Sequence, residues 1–277
     1  MFEGGAMGEA MGRYREMVES LRPIGRAVVA FSGGVDSTLL LVAAREALGD
    51  GVLAVTARSK LFPERELAEA HRLCLELGVR QRTFECSMLD VDDIRENPPE
   101  RCYLCKRLIY EGIFAIAHEE GITTVLEGSN LDDDGDYRPG RQAVQELGVK
   151  SPLHDARMTK ADIREVSKAL GLATWNKQSF ACLASRIPFG EPITDEKLDR
   201  IDQAEQFLCE LGFVQMRVRC HGDIARIETR SEDIGRFAES ELRETVCSHL
   251  EGLGFRYVVL DLVGYRTGSL NIPLESE

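Results

Sequence analysis

The chain has 277 residues, 43% hydrophobic and 29% charged, enough for one large soluble domain or two modest ones with a real core. Its net charge of −13 argues against an extended nucleic-acid footprint, which needs a basic face. No apolar run reaches the roughly 18 residues that a membrane span requires; the start, MFEGGAMGEAMGRYREMVES, lacks a basic segment followed by an apolar one, so the cytoplasm is the expected compartment.

In chain order, RAVVAFSGG predicts a short buried strand ending in a glycine turn, and STLLLVAAREALG a helix closed by glycine. GVLAVTARS is a second strand, ERELAEAHRLCLELG a second helix and RQRTFECSML a third strand. A proline pair precedes the long helical pattern of RCYLCKRLIYEGIFAIAHEEG. TTVLEGSN is a fourth strand running into the acidic loop LDDDGDYRPG; RQAVQELG (helix), VKSPL (strand end) and TKADIREVSKALGL (helix) follow. This alternation predicts an α/β fold with a parallel sheet covered on both faces. Such sheets bind ligands at the carboxyl ends of their strands, where Ser32–Ser37, Ser59 and Asn130–Asp136 fall.

The period is lost near residue 176. NKQSFACLASRIPFGEPIT reads as loop, DEKLDRIDQAEQFLCELGF as a helix, QMRVRCHGDIARIET as a hairpin about an HGD turn, and RYVVLDL as a last strand. The expected division is residues 1–180 for the nucleotide-binding domain and 181–277 for a small α+β domain.

Strand, then Ser32-Gly33-Gly34-Val35-Asp36-Ser37, then helix is an anion cradle: glycines bare the backbone N–H groups and the helix start adds partial positive charge. The hydroxyls of Ser32, Ser37 and Thr38 add donors. Neither the Walker A lysine nor GxGxxG is present. SGGVDS resembles the SGGxDS signature of PP-loop ATP pyrophosphatases. That resemblance implies that ATP's β,γ-pyrophosphate sits on the loop, that ATP is split to AMP and pyrophosphate, and that Mg²⁺ assists; Asp36, Asp132 and Asp133 are its candidate ligands.

Eight cysteines scattered through a long chain do not read as a disulfide framework. Cys74, Cys86, Cys209, Cys220 and Cys247 fall singly in amphipathic or strand-like segments and read as buried structural thiols. Cys102 and Cys105, spaced CxxC at a helix start, and Cys182 in an irregular segment stand apart. Three thiolates with no fourth suit a [4Fe–4S] cluster with one open iron; thiol redox chemistry and plain burial are the other readings of the spacing.

SGGVDST, NPPERCYLCK, GSNLDDDGDYRPG, LGLATWNK, ACLASRIPFG, RVRCHGDIARIE and LDLVGYRTG together resemble the LarE family, the ATP-dependent sulfur transferases of nickel-pincer nucleotide synthesis, over nearly the whole chain. The resemblance implies adenylation of the carboxylates of pyridinium-3,5-biscarboxylic acid mononucleotide and their conversion to thiocarboxylates. A carboxylase and a nickel insertase would act in the same pathway, which serves lactate racemase and its relatives. It also implies a homo-oligomer, with a hexamer among the options. One form of the family gives up its own cysteine sulfur from the position held here by Ala181; the other holds a [4Fe–4S] cluster, with a transferable sulfide, on three cysteines. Cys102, Cys105 and Cys182 place this chain in the second form, with sacrificial use of Cys182 the alternative. By the same resemblance Ser185, Glu205, Arg217, Arg219 and Arg266 mark the substrate pocket, with Arg186 beside Cys182. Arg217 and Arg219 alternate on one strand and share a face suited to phosphate. Asp136, Tyr137 and Arg138 are expected to order the loop over ATP. A tRNA thiolase, an amide-forming ligase such as an NAD or GMP synthetase, and a zinc-bearing regulatory module are the rivals; the acidic charge disfavours the first, and the placed cysteines are idle in the second.

Overall fold

The computed structural model describes residues 3–135, 139–178 and 181–266. Two units emerge, one from Met1–Met88 with Glu100–Phe180, the other from Leu89–Pro99 with Ala181–Glu277. Among the described residues no helix is long and apolar enough to cross a membrane.

The first unit opens with α1 (Glu3–Leu21), which the sequence pattern left unassigned. Its glycines lower helix propensity, but Ala10, Tyr14, Met17, Val18 and Leu21 recur at helical spacing and are all buried, so packing decides. There follow β1 (Ala27–Ala30), α2 (Val35–Leu48), β2 (Val52–Arg58), α3 (Glu64–Glu76), β3 (Arg80–Glu85), α4 (Asp92–Arg95, grouped with the second unit), α5 (Arg101–Glu119), β4 (Val125–Leu126), α6 (Pro139–Glu146), α7 (Pro152–Asp155) and α8 (Lys160–Ala169). The strands form one parallel sheet in the order β3-β2-β1-β4. The segment VKSPL supplies only a bridge from Lys150 to Leu126; Pro152, which has no N–H to give a ladder, instead starts α7.

The first three residues of β1 and the first half of β2 are apolar and buried, as strands covered on both faces must be. One covering layer draws on α1, α2 and α8, with Leu39, Leu40, Ile163 and Val166 in its core. The other packs Tyr110, Ile113, Ile116 and Ala117 of α5 against Val28, Leu53 and Val55. β3, at the sheet edge, stays largely exposed.

The second unit holds α9 (Asp195–Glu210), β5 (Met216–His221), β6 (Ile224–Thr229), α10 (Ser240–Gly252) and β7 (Tyr257–Leu260). β5 and β6 form the expected antiparallel hairpin, and α10 carries the chain across to β7, which lies parallel to β6. The 89–99 segment is built into this unit through Asn97. That residue is fully buried with φ of 56°; its amide donates to the carbonyls of Ile187 (3.3 Å) and Pro188 (2.7 Å), and its own carbonyl accepts from Gly190 N (2.9 Å).

Candidate functional site

The glycine loop lies between the end of β1 and the first turn of α2, with Gly34 as the N-cap. Gly33 has φ of 71°, and a Cβ there would sit 3.2 Å from the Cα and Cβ of Ala70 on α3, so conformation and space both demand glycine. Gly128, just past β4, answers a close approach instead: a Cβ would lie 3.1 Å from the backbone N of Ser37. Ser32 Oγ and Ser37 Oγ are 3.1 Å apart, and Ser37 Oγ donates to Gly34 O at 3.2 Å. Thr38 Oγ1 and Asp36 Oδ1 are buried with no hydrogen-bond partner among the described residues. Ser59, half-buried beyond β2, accepts from Leu61 N at 3.4 Å.

Two lysines that the sequence reading passed over converge on this loop. Thr159 and Asp162 form a reciprocal capping box that fixes the start of α8. Lys160, the first residue of that helix, thereby reaches Asp36 and donates to its Oδ2. Burial raises the Asp36 carboxyl above its ordinary value, against the pull of Lys160. Lys177 Nζ donates to Gly33 O at 3.2 Å and pairs with Glu66 (2.8 Å) and Glu69 (2.7 Å). The legible signal was position: each lysine borders a segment that returns to the carboxyl end of the sheet.

The acidic loop is partly turned inward. Asn130 Oδ1 accepts from Asp132 N (3.0 Å), Asp133 Oδ2 from Asn130 N (2.9 Å), and Asp132 Oδ2 from Lys160 N (2.8 Å). Asp132 and Asp133 thus shape the loop, while Asp36 keeps a buried carboxylate oxygen with no bond. That orphaned oxygen is of the hard donor type that suits a cation carrying phosphate oxygens. Asp136, Tyr137 and Arg138 lie outside the described residues.

Cys102 (exposed) and Cys105 (half-buried) stand one turn apart at the start of α5, on one face of the helix. Cys182, half-buried, belongs to the second unit. Among the described residues no three His, Cys, Asp or Glu side chains are gathered to hold a metal ion. Of the expected structural thiols, Cys74, Cys86 and Cys220 are buried; burial pushes the first two up to about 12 and about 11. Cys209 corrects the expectation, being exposed, and Cys247 is only half-buried. On α9 the inward positions are Ile201, Ala204, Glu205 and Leu208, so residue 209 faces out.

In the second unit, Ser185, Arg186, Glu205, Arg217 and Arg219 come together around the Cys182 loop. Cys182 precedes a single 3-10 turn, Leu183–Arg186, closed by Ser185 N on Cys182 O at 2.9 Å. Arg186 and Glu205 are 0% and 1% exposed and joined by two parallel bonds of 2.8 Å. Arg186 Nη1 also donates to the carbonyls of Ala181 (2.6 Å) and Cys182 (3.0 Å) and to Ser185 Oγ (2.9 Å). Glu205 Oε1 accepts in turn from Val218 N at 3.0 Å. Burial works against the Glu205 charge, but the Arg186 guanidinium outweighs it and holds the carboxyl below the usual range.

Arg219 donates to Ser185 O (2.6 Å) and Glu228 (2.8 Å), and Glu228 also takes Arg226 (3.0 Å). Arg217 is buried with the Tyr265 ring 5.1 Å away; burial, then the charge of Arg186, lower its pKa. Arg186, Arg219 and Arg226 pair with Glu205, Glu228 and Asp261, and Arg217 lies within electrostatic reach of Arg186 and Glu205. Arg266 is exposed beyond β7.

The profile of the Queuosine biosynthesis protein QueC family matches residues 26–95, the stretch carrying the glycine loop. A Lactiplantibacillus plantarum protein named pyridinium-3,5-bisthiocarboxylic acid mononucleotide synthase is 41% identical over 259 residues, 93% of either chain. The chain belongs to the LarE family. An uncharacterized protein of Synechocystis sp. is 40% identical over 89% of this chain and 92% of its own length. A glutamine-hydrolyzing GMP synthase component from Methanococcus maripaludis is 30% identical over 67% of this chain and 63% of its own.

As a LarE-family protein the chain is an enzyme of the PP-loop ATP pyrophosphatase class, a sulfur transferase that binds ATP. Its site residues sort by availability. In the first unit, Asp36 Oδ1 and Thr38 Oγ1 are oriented and unbonded. In the second, Arg186 is committed to Glu205 and to its own loop, so its role is to hold Cys182 and Ser185 in place.

Proposed function

We propose that this LarE-family enzyme adenylates the carboxylates of pyridinium-3,5-biscarboxylic acid mononucleotide and converts them to thiocarboxylates for nickel-pincer nucleotide synthesis. Residues 1–180 handle ATP and 181–277 the substrate, in a cytoplasmic homo-oligomer. The observation that carries this reading is the second-unit cluster: four guanidiniums, two of them bonded to the cysteine loop, in a chain of net charge −13, suit a small ligand bearing a phosphate and carboxylates.

The loop amides and the start of α2 receive the pyrophosphate of ATP, helped by Ser32, Ser37 and Thr38. Asp36, through its unbonded Oδ1, would hold Mg²⁺, whose chemistry there would be to neutralise phosphate charge, while Lys160 stays on the other oxygen of the same carboxylate. A substrate carboxylate attacks the α-phosphorus and pyrophosphate departs, giving an acyl adenylate. Attack of sulfur at the acyl carbon expels AMP and leaves a thiocarboxylate; a second round gives the bis-thiocarboxylate. Arg217, Arg219 and Arg266 bind the substrate's anionic groups, and the Arg186–Glu205 pair positions Ser185 and Cys182. Cys102, Cys105 and Cys182 would hold a [4Fe–4S] cluster, whose chemistry is to supply sulfide for repeated turnover.

The test is anaerobic incubation of the protein with ATP, Mg²⁺, sulfide and the pyridinium dicarboxylate mononucleotide. Mass spectrometry should find one and then two oxygen-to-sulfur replacements, matched by AMP and pyrophosphate. Release of ADP, or AMP formation with no sulfur in the product, refutes the reading. Conversion of Cys182 to dehydroalanine in step with product would replace the cluster by the sacrificial route.

A further inference from the structure

Lys177 lies in the segment after α8, and its side chain reaches the glycine loop. An ammonium has three donors, and three acceptors surround this one: Gly33 O at 3.2 Å, Glu66 at 2.8 Å and Glu69 at 2.7 Å. It is therefore fully engaged and is not itself a phosphate ligand. The backbone that carries it is clasped in turn, because Arg164 of α8 donates to Trp175 O (3.1 Å) and Lys177 O (2.9 Å). Two carboxylates already more than balance one ammonium, so the third bond, to a loop carbonyl, calls for its own explanation. The peptide joining Gly33 to Gly34 is planar, and its C=O and N–H point to opposite sides. Lys177 holds the oxygen. The N–H, on Gly34, faces Ser32 Oγ at 3.4 Å, which stands 3.1 Å from Ser37 Oγ. That side of the peptide gathers the donors an anion needs. Gly33 has φ of 71° and no Cβ, so the residue itself does little to stop this peptide from turning over. Turned over, the peptide would present a carbonyl oxygen to the anion in place of an N–H.

We propose that Lys177 is the positioning residue of the glycine loop: by holding the Gly33 carbonyl it keeps the Gly34 N–H aimed at the pyrophosphate of ATP. The inference rests on the ATP-site reading given under Proposed function. Glu66 and Glu69, both on α3, fix the ammonium on that carbonyl. Loss of Lys177 should weaken ligands that carry the β and γ phosphates and spare AMP, which lacks them. The loss should also persist when the two glutamates are removed with the lysine, since the carbonyl is still unheld.

The experiment titrates full-length wild type, Lys177→Met and a triple variant (Lys177→Met, Glu66→Ala, Glu69→Ala) by calorimetry. The ligands are pyrophosphate with Mg²⁺, α,β-methylene ATP with Mg²⁺, and AMP; Ser37→Ala serves as a marker of the loop. Circular dichroism and the emission of Trp175, the sole tryptophan, report whether each variant is folded. Lys177→Met should bind pyrophosphate and the ATP analogue about tenfold more weakly, the scale of one charge-assisted hydrogen bond, with AMP within about twofold of wild type. The triple variant removes one positive and two negative charges. A purely electrostatic role predicts pyrophosphate affinity at or above wild type there, whereas a positioning role predicts continued loss. Wild-type pyrophosphate affinity in folded Lys177→Met, an equal loss of AMP, or recovery in the triple variant overturns the proposal. If Lys177→Met does not fold, a folded triple variant with wild-type pyrophosphate affinity overturns it alone. Ser37→Ala that binds every ligand as wild type does overturns the loop as the pyrophosphate site, and this inference with it. Loss in Ser37→Ala with none in Lys177→Met overturns only the role of Lys177.

Discussion

Replacing Glu205 by glutamine should destabilise the second unit by about 3–5 kcal/mol, the usual cost of leaving a buried ion without its partner. The geometry explains the size. Glu205 is 1% exposed and neutralises Arg186, which is 0% exposed, through two bonds of 2.8 Å. Arg217 lies close enough for the Arg186 charge to depress its pKa, so glutamine leaves two guanidiniums facing each other with one carboxylate fewer. A Glu205→Leu with Arg186→Met double variant removes the charges together and should cost less than the sum of the single changes, with coupling of about 2–3 kcal/mol. It should not reach wild-type stability, because Val218 N and the carbonyls of Ala181 and Cys182 lose their partners. The sole tryptophan, Trp175, belongs to the first unit, so its fluorescence would report the wrong part of the chain. Amide hydrogen exchange of α9, β5 and β6 is the suitable readout. The pH dependence has a definite sign. The folded-state pKa of Glu205 is lowered, so its contribution is complete above the unfolded glutamate value of about 4.3 and is lost as pH falls through the folded value. Glu205→Gln should flatten that acid limb. Exchange free energies within about 0.5 kcal/mol of wild type, the range of an inert surface change, would refute the argument.

Thr38→Val should leave thermal stability unchanged or slightly raised, since Thr38 Oγ1 is buried without a partner, while ATP affinity measured by calorimetry falls; unchanged affinity would remove Thr38 from the site. Gly33→Ala should cost about 1–3 kcal/mol from its left-handed backbone alone and, with the Ala70 contact, impair pyrophosphate release; wild-type turnover would contradict the loop geometry. Asn97→Ala should loosen the 187–193 segment, losing both carbonyl contacts and the residue's tolerance of positive φ, about 2–3 kcal/mol together; proteolysis or amide exchange of that segment would show it.

What could be read from the residues, and what could not, divides by range. The strand, glycine loop and α2 are dictated within about twenty residues by apolar run, turn chemistry and helix pattern, and they match the structure closely. α1 escaped because its glycines weaken the local signal, and only burial of Tyr14, Met17 and Leu21 restores it. The 89–99 segment offers little local signal beyond its proline pair; its membership of the second unit depends on Asn97 bonding to carbonyls about ninety positions away, which no local pattern encodes. Cys209 was judged by residue type when the face of α9 decides its exposure.

The arginines carry the same distinction into function. Arg186, Arg217 and Arg219 carry identical chemistry in the sequence, and each is a reasonable phosphate ligand. Their partners separate them. Arg186 donates to both oxygens of Glu205 and to three atoms of the 181–185 segment, so substrate would have to break a buried ion pair to reach it. Arg219 shares Glu228 with Arg226 and grips Ser185 O, a coupling through which an anion drawn to Arg219 would pull on the same turn that carries Cys182. A substrate phosphate competing with Glu228 for Arg219 would therefore act on the cysteine loop without touching it. Conservative replacement of Arg219 by lysine, which keeps charge but loses the two-directional fork, should for that reason lower kcat for sulfur transfer more than it raises KM. A rise in KM alone would make Arg219 a simple anchor.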